Sequence, residues 1–461
     1  MTITFGETFD KVQECFQETD VSSKLTPKLE SITIIRDVYG MIRLFLEPVK
    51  GLELQEADIK PLDNLLSQKL SSYYGKDIWF PQSTQDGYEA LIKVITEERV
   101  LAEWDDETVS PRWYVLERHV AKQAWTNKNA GNPPWEDKYV YERRKPAIVT
   151  FFSFKGGVGR TTGLVATALT LARYGHRVAI VDLDLEAPGL STIFFKDNPG
   201  KFGVIDYLLE KKVQQSKWSL KTDILPISEQ LLLGDSGETL RLLPAGRIDN
   251  NYLEKLARLD FQNLTSNELS ETLRGMLKEL ASVAKPLDFI LLDARAGFHD
   301  IGGLAVADLS HAAVLFGTQS RQTWSGLTHV IRRLARPLAK DPLPVIMVHA
   351  LAPPLTASGR NQELENFRIT SYDVFTNNYY QQDETVPNQN DLDAAFMPVV
   401  VPLEDVLRGD IALFYRDDTP EETSRLLGLI NLMTNEPYQG IAKRLCELFE
   451  RKLDRQNGVE I

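Results

Sequence analysis

The chain has 461 residues, 43% hydrophobic and 25% charged, and its 52 basic and 65 acidic residues leave a formal net charge of −13. That length suggests about two or three domains, and the composition is that of a soluble globular protein with a large core, which excludes collagen, low-complexity disorder and small disulfide scaffolds. The acidic balance repels nucleic acid at long range and disfavours a dedicated DNA or RNA binder.

The opening stretch, MTITFGETFDKVQECFQETD, has neither a basic n-region nor an apolar h-region, so no signal peptide is expected. No apolar run approaches the roughly 20 residues of a membrane span. Cys15 and Cys446 belong to no CxxC pair, which leaves free thiols in a reducing compartment and no Cys-based metal site. The expected location is the cytoplasm.

Residues 1–126 read as a small α+β domain. Ser31–Ile35 and Met41–Leu46 flank Asp37-Val-Tyr-Gly40, the pattern of a β-hairpin. Leu62, Leu65, Leu66 and Leu70 share one face of a helix. Residues 127–146, with the breaker cluster Asn127–Pro134, read as a linker.

From Ala147 the pattern changes. Near-continuous apolar runs occur at Ala147–Phe152, Val178–Val181, Phe289–Leu292, Ala312–Phe316, Pro344–Val348 and Pro398–Val401. Strands buried on both faces of a parallel sheet read this way. A helix over Thr161–Tyr174, ended by Gly175, follows the first run. The fold class is therefore α/β, a doubly wound and mainly parallel sheet, preceded by the small α+β domain. Residues 352–394 are long for a connection and read as an insertion, either a lid or partner surface or a passive one. Residues 437–456 read as an amphipathic helix, with Ile441, Leu445, Leu448, Phe449 and Leu453 on the apolar face.

The strongest chemical signal is Phe154-Lys-Gly-Gly-Val-Gly-Arg-Thr-Thr162, between an apolar strand and a helix. Glycines let backbone N–H groups close around phosphate oxygens, and the helix N-terminus attracts anions. The hydroxyl of Thr161 is a magnesium ligand in such a loop, and Thr162 reaches a phosphate. Asp182 and Asp184 follow the next strand at i and i+2, where side chains of an extended segment point the same way. Asp293 ends another buried strand and Gly297 follows it. No Ser/His/Asp or HExxH constellation occurs.

The 154–162 stretch resembles the deviant Walker A motif, KGGxGK[ST][ST], of the MinD/ParA family of P-loop ATPases, and more nearly its KGGVGR variants. The resemblance covers about residues 147–410 and implies ATP and Mg²⁺ as cofactors. It makes Gly156, Gly157, Val158, Gly159, Arg160, Thr161 and Thr162 the phosphate-binding loop. Lys155 would reach the nucleotide of the other subunit in a homodimer. Arg160 replaces the lysine of the β- and γ-phosphates, which implies weak hydrolysis, since a guanidinium is planar and forked. By position Asp184 orients the attacking water, Asp182 supports it near Mg²⁺, Asp293 holds the magnesium shell and Gly297 approaches the γ-phosphate. The Val399–Asp405 segment resembles the last strand and the base-contacting loop, with Pro402 a nucleotide contact. His349 stands where many relatives place an adenine-binding Asn, and Arg295 is a phosphate or partner contact or else a surface ion pair.

The implied function is a slowly hydrolysing nucleotide switch. It would act as an ATP-sandwich dimer and regulate a protein partner through the N-terminal domain or the 352–394 insertion, in bacterial signalling or phage defence. A non-hydrolysing nucleotide-binding scaffold and a DNA-bound partition ATPase are the alternatives, the last disfavoured by charge.

Overall fold

Three hydrophobic clusters organise the chain, two before residue 121 and one after it. The computed structural model describes residues 3–81, 88–119, 121–127, 130–197, 200–220, 224–235, 238–259, 266–282, 286–335, 341–380 and 386–455. It divides into two units, Met1–Val120 and Ala121–Ile461.

The first unit is built on β1 (Leu29–Arg36), β2 (Ile42–Pro48), β3 (Tyr74–Trp79), β4 (Val100–Leu101) and β5 (Arg112–Glu117), in the order β3-β2-β1-β5-β4. β1 and β2 form the expected antiparallel hairpin. Side chains alternate across the sheet. Ile32, Ile34, Ile42, Leu44 and Leu46 face a core that includes Leu62, Leu66 and Leu70 of the helix Glu56–Leu70. Ile35 and Phe45 point to the other face and meet Ile95 of the helix Tyr88–Glu98.

The second unit carries β6 (Ala147–Ser153), β7 (Val178–Asp182), β8 (Leu225–Ile227), β9 (Leu240–Leu243), β10 (Phe289–Asp293), β11 (Ala312–Gly317), β12 (Val345–Ala352) and β13 (Val399–Pro402). Their order is β13-β12-β11-β6-β10-β7-β9-β8. Only β8 runs antiparallel to its neighbour. All six apolar runs are strands of this sheet, and both faces are covered. Phe151 and Phe316 lie 6.0 Å apart on the face of the helix Arg160–Arg173, where a Cβ on Gly163 would overlap the Phe316 ring. Phe152 faces the opposite layer, 5.3 Å from Trp125. The helix Arg160–Arg173 ends as expected, with Gly175 N–H donating to Ala172 O and His176 N–H to Leu171 O.

Two expectations, the linker and the extent of the C-terminal helix, are corrected, and the insertion gains a definite element. The described part of the 127–146 linker packs into the second unit: Trp135 and Val140 join its core, and Trp135 Nε1 donates to Pro146 O at 2.9 Å. The 352–394 insertion contains a 19-residue helix, Arg360–Asn378. Only Phe367, Ser371 and Phe375 are buried along it, a stripe too thin to register in the sequence; residues 381–385 lie outside the described residues. The C-terminal helix stops at Leu448. Glu450 takes φ +53°, and Arg451 N–H turns back to Cys446 O at 2.7 Å. Ile441, Leu445 and Cys446 still bury against the domain, packing on the helix Arg160–Arg173.

Candidate functional site

The strand order reverses at β6, which has β10 on one side and β11 on the other. Ligands of open α/β sheets bind in the crevice at the carboxyl ends of such strands. The loop 154–159 leaves β6 there and feeds the helix Arg160–Arg173. Gly157 and Gly159 take φ +72° and +80°, a region costly for side-chain-bearing residues. A Cβ on Gly156, Gly157 or Gly159 would meet nothing within 4 Å, so the loop borders open space. Val158, 4% exposed, anchors it in the core. The half-buried Phe154 ring lies 5.1 Å from Phe298 and against Gly326.

The acids converge on one cation. Arg160, 8% exposed, donates from Nε to Asp293 Oδ1 at 2.6 Å and from Nη2 to Asp184 Oδ2 at 3.3 Å. Thr161 Oγ1 donates to the other Asp293 oxygen at 2.7 Å. Burial acts to lower the Arg160 pKa, but the charge and hydrogen bond of Asp293, seconded by Asp184, raise it on balance. Burial raises the pKa of Asp293 against the pull of Arg160.

Asp182 lies opposite Asp293 in the β7–β10 register and is fully buried. Its Oδ1 accepts from Asp184 N–H, and its Oδ2 from Gly189 and Leu190 N–H, each at 3.1 Å. It therefore fastens the loop 183–190. Burial first, and the Asp293 charge second, push its pKa up to about 7. β7 ends at Asp182, so Asp184 sits two residues beyond the strand, in the loop that Asp182 fastens. Among the described residues no group of three or more His, Cys, Asp and Glu side chains is arranged to hold a metal ion. Thr161 and Asp293 do stand together, a hydroxyl and a carboxylate beside a loop open to phosphate. That hard-oxygen set suits magnesium, which usually takes one or two protein oxygens alongside substrate phosphates.

Lys155 is exposed and makes no hydrogen bond or ion pair with another described residue. Gly297, at φ +77°, donates its N–H to Ser153 O at 3.2 Å, which holds the segment after Asp293 beside the loop. Thr162 is half-buried in the first helical turn. Pro402 ends β13, three strand positions from β6, or about 14 Å across the sheet. His349 is buried and stacked on Phe367 with ring centroids 4.0 Å apart. Arg295 takes the ion-pair alternative, with Glu186, and Glu186 Oε1 also meets His299 Nε2 at 3.0 Å. Glu186 and His299 thus join the 183–190 loop to the segment after β10. Neither lies in a recognisable spacing, since their partnership exists only across the crevice.

Comparison with known proteins agrees with this geometry. Residues 146–340 match the family model described as an AAA domain. The chain is 35% identical over 94 residues to the cytosolic Fe-S cluster assembly factor CFD1 of Saccharomyces cerevisiae, covering 20% of this chain and 31% of that protein. It is 33% identical over 107 residues to the chloroplastic septum site-determining protein minD homolog of Arabidopsis thaliana, covering 21% of this chain and 32% of that protein. The chain thus spans about a third of the length of these curated relatives. Among solved structures, MinD complexed with Mg-ADP from Pyrococcus horikoshii OT3 aligns at 19% identity over 64% of this chain and 98% of that one, with a TM-score of 0.37. The pNOB8 ParA bound to nonspecific DNA aligns at 15% identity over 66% of this chain and 99% of that one, with a TM-score of 0.40. With the loop, the strand-end acids and the sequence matches together, the second unit resembles the MinD/ParA-like P-loop ATPases.

Proposed function

We propose that the chain is a nucleotide-switch ATPase, binding ATP with Mg²⁺ in the 154–162 loop and working as a homodimer that regulates a protein partner in the cytoplasm. The observation that carries this reading is the joining of Arg160, Thr161 and Asp184 with Asp293 at the mouth of an open glycine loop. Backbone N–H groups of Gly156–Thr162 bind phosphate oxygens, aided by the dipole of a 14-residue helix. Thr161 and Asp293 hold the metal, which when bound neutralises phosphate charge. Asp184 orients the attacking water and Asp182 fixes the loop that carries Asp184. Arg160 gives up its contacts with Asp293 and Asp184 when it turns to phosphate, and that cost supports slow turnover. Lys155, exposed and uncommitted, is the residue to reach a second subunit. Pro402, at the end of β13, is the base contact in this reading. The first unit or the helix Arg360–Asn378 reads the state for the partner.

Phosphate release from ATP and Mg²⁺ is the test, in wild type and Lys155→Ala. Specific activity that rises with protein concentration and collapses in the variant is expected. Tight ATP binding with no release in either protein sinks the enzyme reading in favour of a scaffold. DNA binding that weakens steeply with salt would instead favour a partition ATPase.

A further inference from the structure

The second unit begins with a segment outside the family match. Its residues grip the loop that follows Asp293. Lys122 approaches Asp300 twice: its backbone N–H donates to Oδ1 at 2.5 Å and its Nζ pairs with Oδ2 at 2.7 Å. Trp125 Nε1 donates to His299 O at 2.9 Å. The indole lies 5.3 Å from Phe298 and 5.3 Å from Phe152, and seats on Gly303, where a Cβ would come within 2.6 Å of Nε1. Arg333 Nε donates to Ala124 O at 2.6 Å and ties the segment to the helix Arg321–Leu334. Phe298 continues the contact to Phe154, the first residue of the phosphate loop. His299 meets Glu186 of the 183–190 loop. Residues 298–300 therefore touch the phosphate loop and the 183–190 loop on one side and residues 122–125 on the other.

We propose that Ala121–Thr126 is a strap that positions the 295–303 segment and carries its displacements to the chain entering the first unit. This rests on the nucleotide-switch reading, because it needs a ligand that moves the loop. The polar contacts make the link directional. A carbonyl and a carboxylate that shift by an ångström or two lose bonds that work only near 3 Å, so the strap follows the loop or releases it. Packing of Trp125 on a glycine leaves no slack to absorb the motion. The strap is the first stretch of the second unit, where the chain arrives from the first. Lys122 and Trp125 are positioning residues and touch no substrate.

Hydrogen–deuterium exchange of the full chain, with and without a non-hydrolysable ATP analogue and Mg²⁺, tests this. In wild type, exchange in 295–303 and 121–127 should change together. In Lys122→Met with Trp125→Phe, the change in 295–303 should persist and that in 121–127 should be clearly reduced. Lys122→Arg alone should behave as wild type. If the double variant does not fold, Trp125→Phe alone keeps an aromatic ring, smaller than the indole and without the Nε1 donor, and should weaken the coupled change. A double variant coupled like wild type, or a wild type whose 295–303 responds without 121–127, overturns the strap. Wild type that responds in neither 154–162 nor 295–303 refutes the nucleotide reading, and the strap falls with it.

Discussion

Arg160 illustrates what a motif conveys and what it hides. The sequence places it between a strand and a helix, beside Thr161, and the structure agrees; the direction of its side chain had no signal, because Asp184 and Asp293 are remote in the chain. The guanidinium joins them with little exposure. Removing one partner of such a buried pair leaves an uncompensated charge, at a cost of about 3–5 kcal/mol. Arg160→Ala should therefore lower stability by about that amount, and the double variant Arg160→Met with Asp293→Asn should lose distinctly less than the sum of its parts. Denaturant unfolding of the four proteins checks the coupling. A second prediction concerns His349, whose pKa burial, reinforced by nearby Arg360, lowers from 6.5 to about 4, although Glu363 Oε1 stands 3.6 Å away. The folded ring stays neutral while the unfolded ring takes a proton below pH 6.5, so stability should fall between about pH 6.5 and pH 4, by up to about 3 kcal/mol. His349→Leu should flatten that acid-side slope in unfolding measured at pH 7 and pH 5.

At the scale of elements, legibility follows burial. The strands β6, β7, β10, β11 and β12 are buried almost throughout, so nearly every position is apolar and the run stands out, while β13, at the edge and half-buried, keeps an apolar run as well. β8, at the sheet edge, and β9 beside it are short strands of three and four residues, without length enough for a pattern. The helix Arg360–Asn378 buries one residue per turn over part of its length and otherwise shows water a polar surface. Spacing also failed to mark contacts between elements, and Gly326 is the sharpest case. It sits mid-helix, where glycine costs about 1 kcal/mol relative to alanine, and its missing side chain makes room for the Phe154 ring. Gly326→Ala should thus lower stability by about 1–3 kcal/mol through overpacking, despite its better helix propensity. Because Phe154 opens the phosphate loop, ATP affinity should fall as well. Adding Phe154→Leu to Gly326→Ala should recover part of both, read by thermal unfolding and nucleotide titration.

The whole molecule departs most from what the motifs delimit. The family match ends at residues 146 and 340, yet the fold continues past both. Upstream, Trp135 and Val140 are buried, and His311 bonds both to Ile148 N–H and to Trp135 O. Downstream, β12 and β13 extend the sheet, and the helices Pro420–Thr434 and Tyr438–Leu448 cover the helix that starts the site. A fragment cut to 146–340 would strip these surfaces and expose the β11 edge, an invitation to aggregation. The fragment 121–461 keeps the core, the strap and the loop together. It should therefore express as a folded protein, unfold cooperatively and be stabilised by ATP and Mg²⁺, by about 2.7 kcal/mol at a ligand concentration a hundredfold above its Kd. Fragment 146–340 should be insoluble or unfolded and show no such shift. Thermal unfolding of both fragments, with and without nucleotide, decides this. A shorter fragment as stable and responsive as the longer one would mean that the flanks merely decorate the domain. The expected contrast would place the folding unit, and with it the nucleotide response, at the boundary of Ala121.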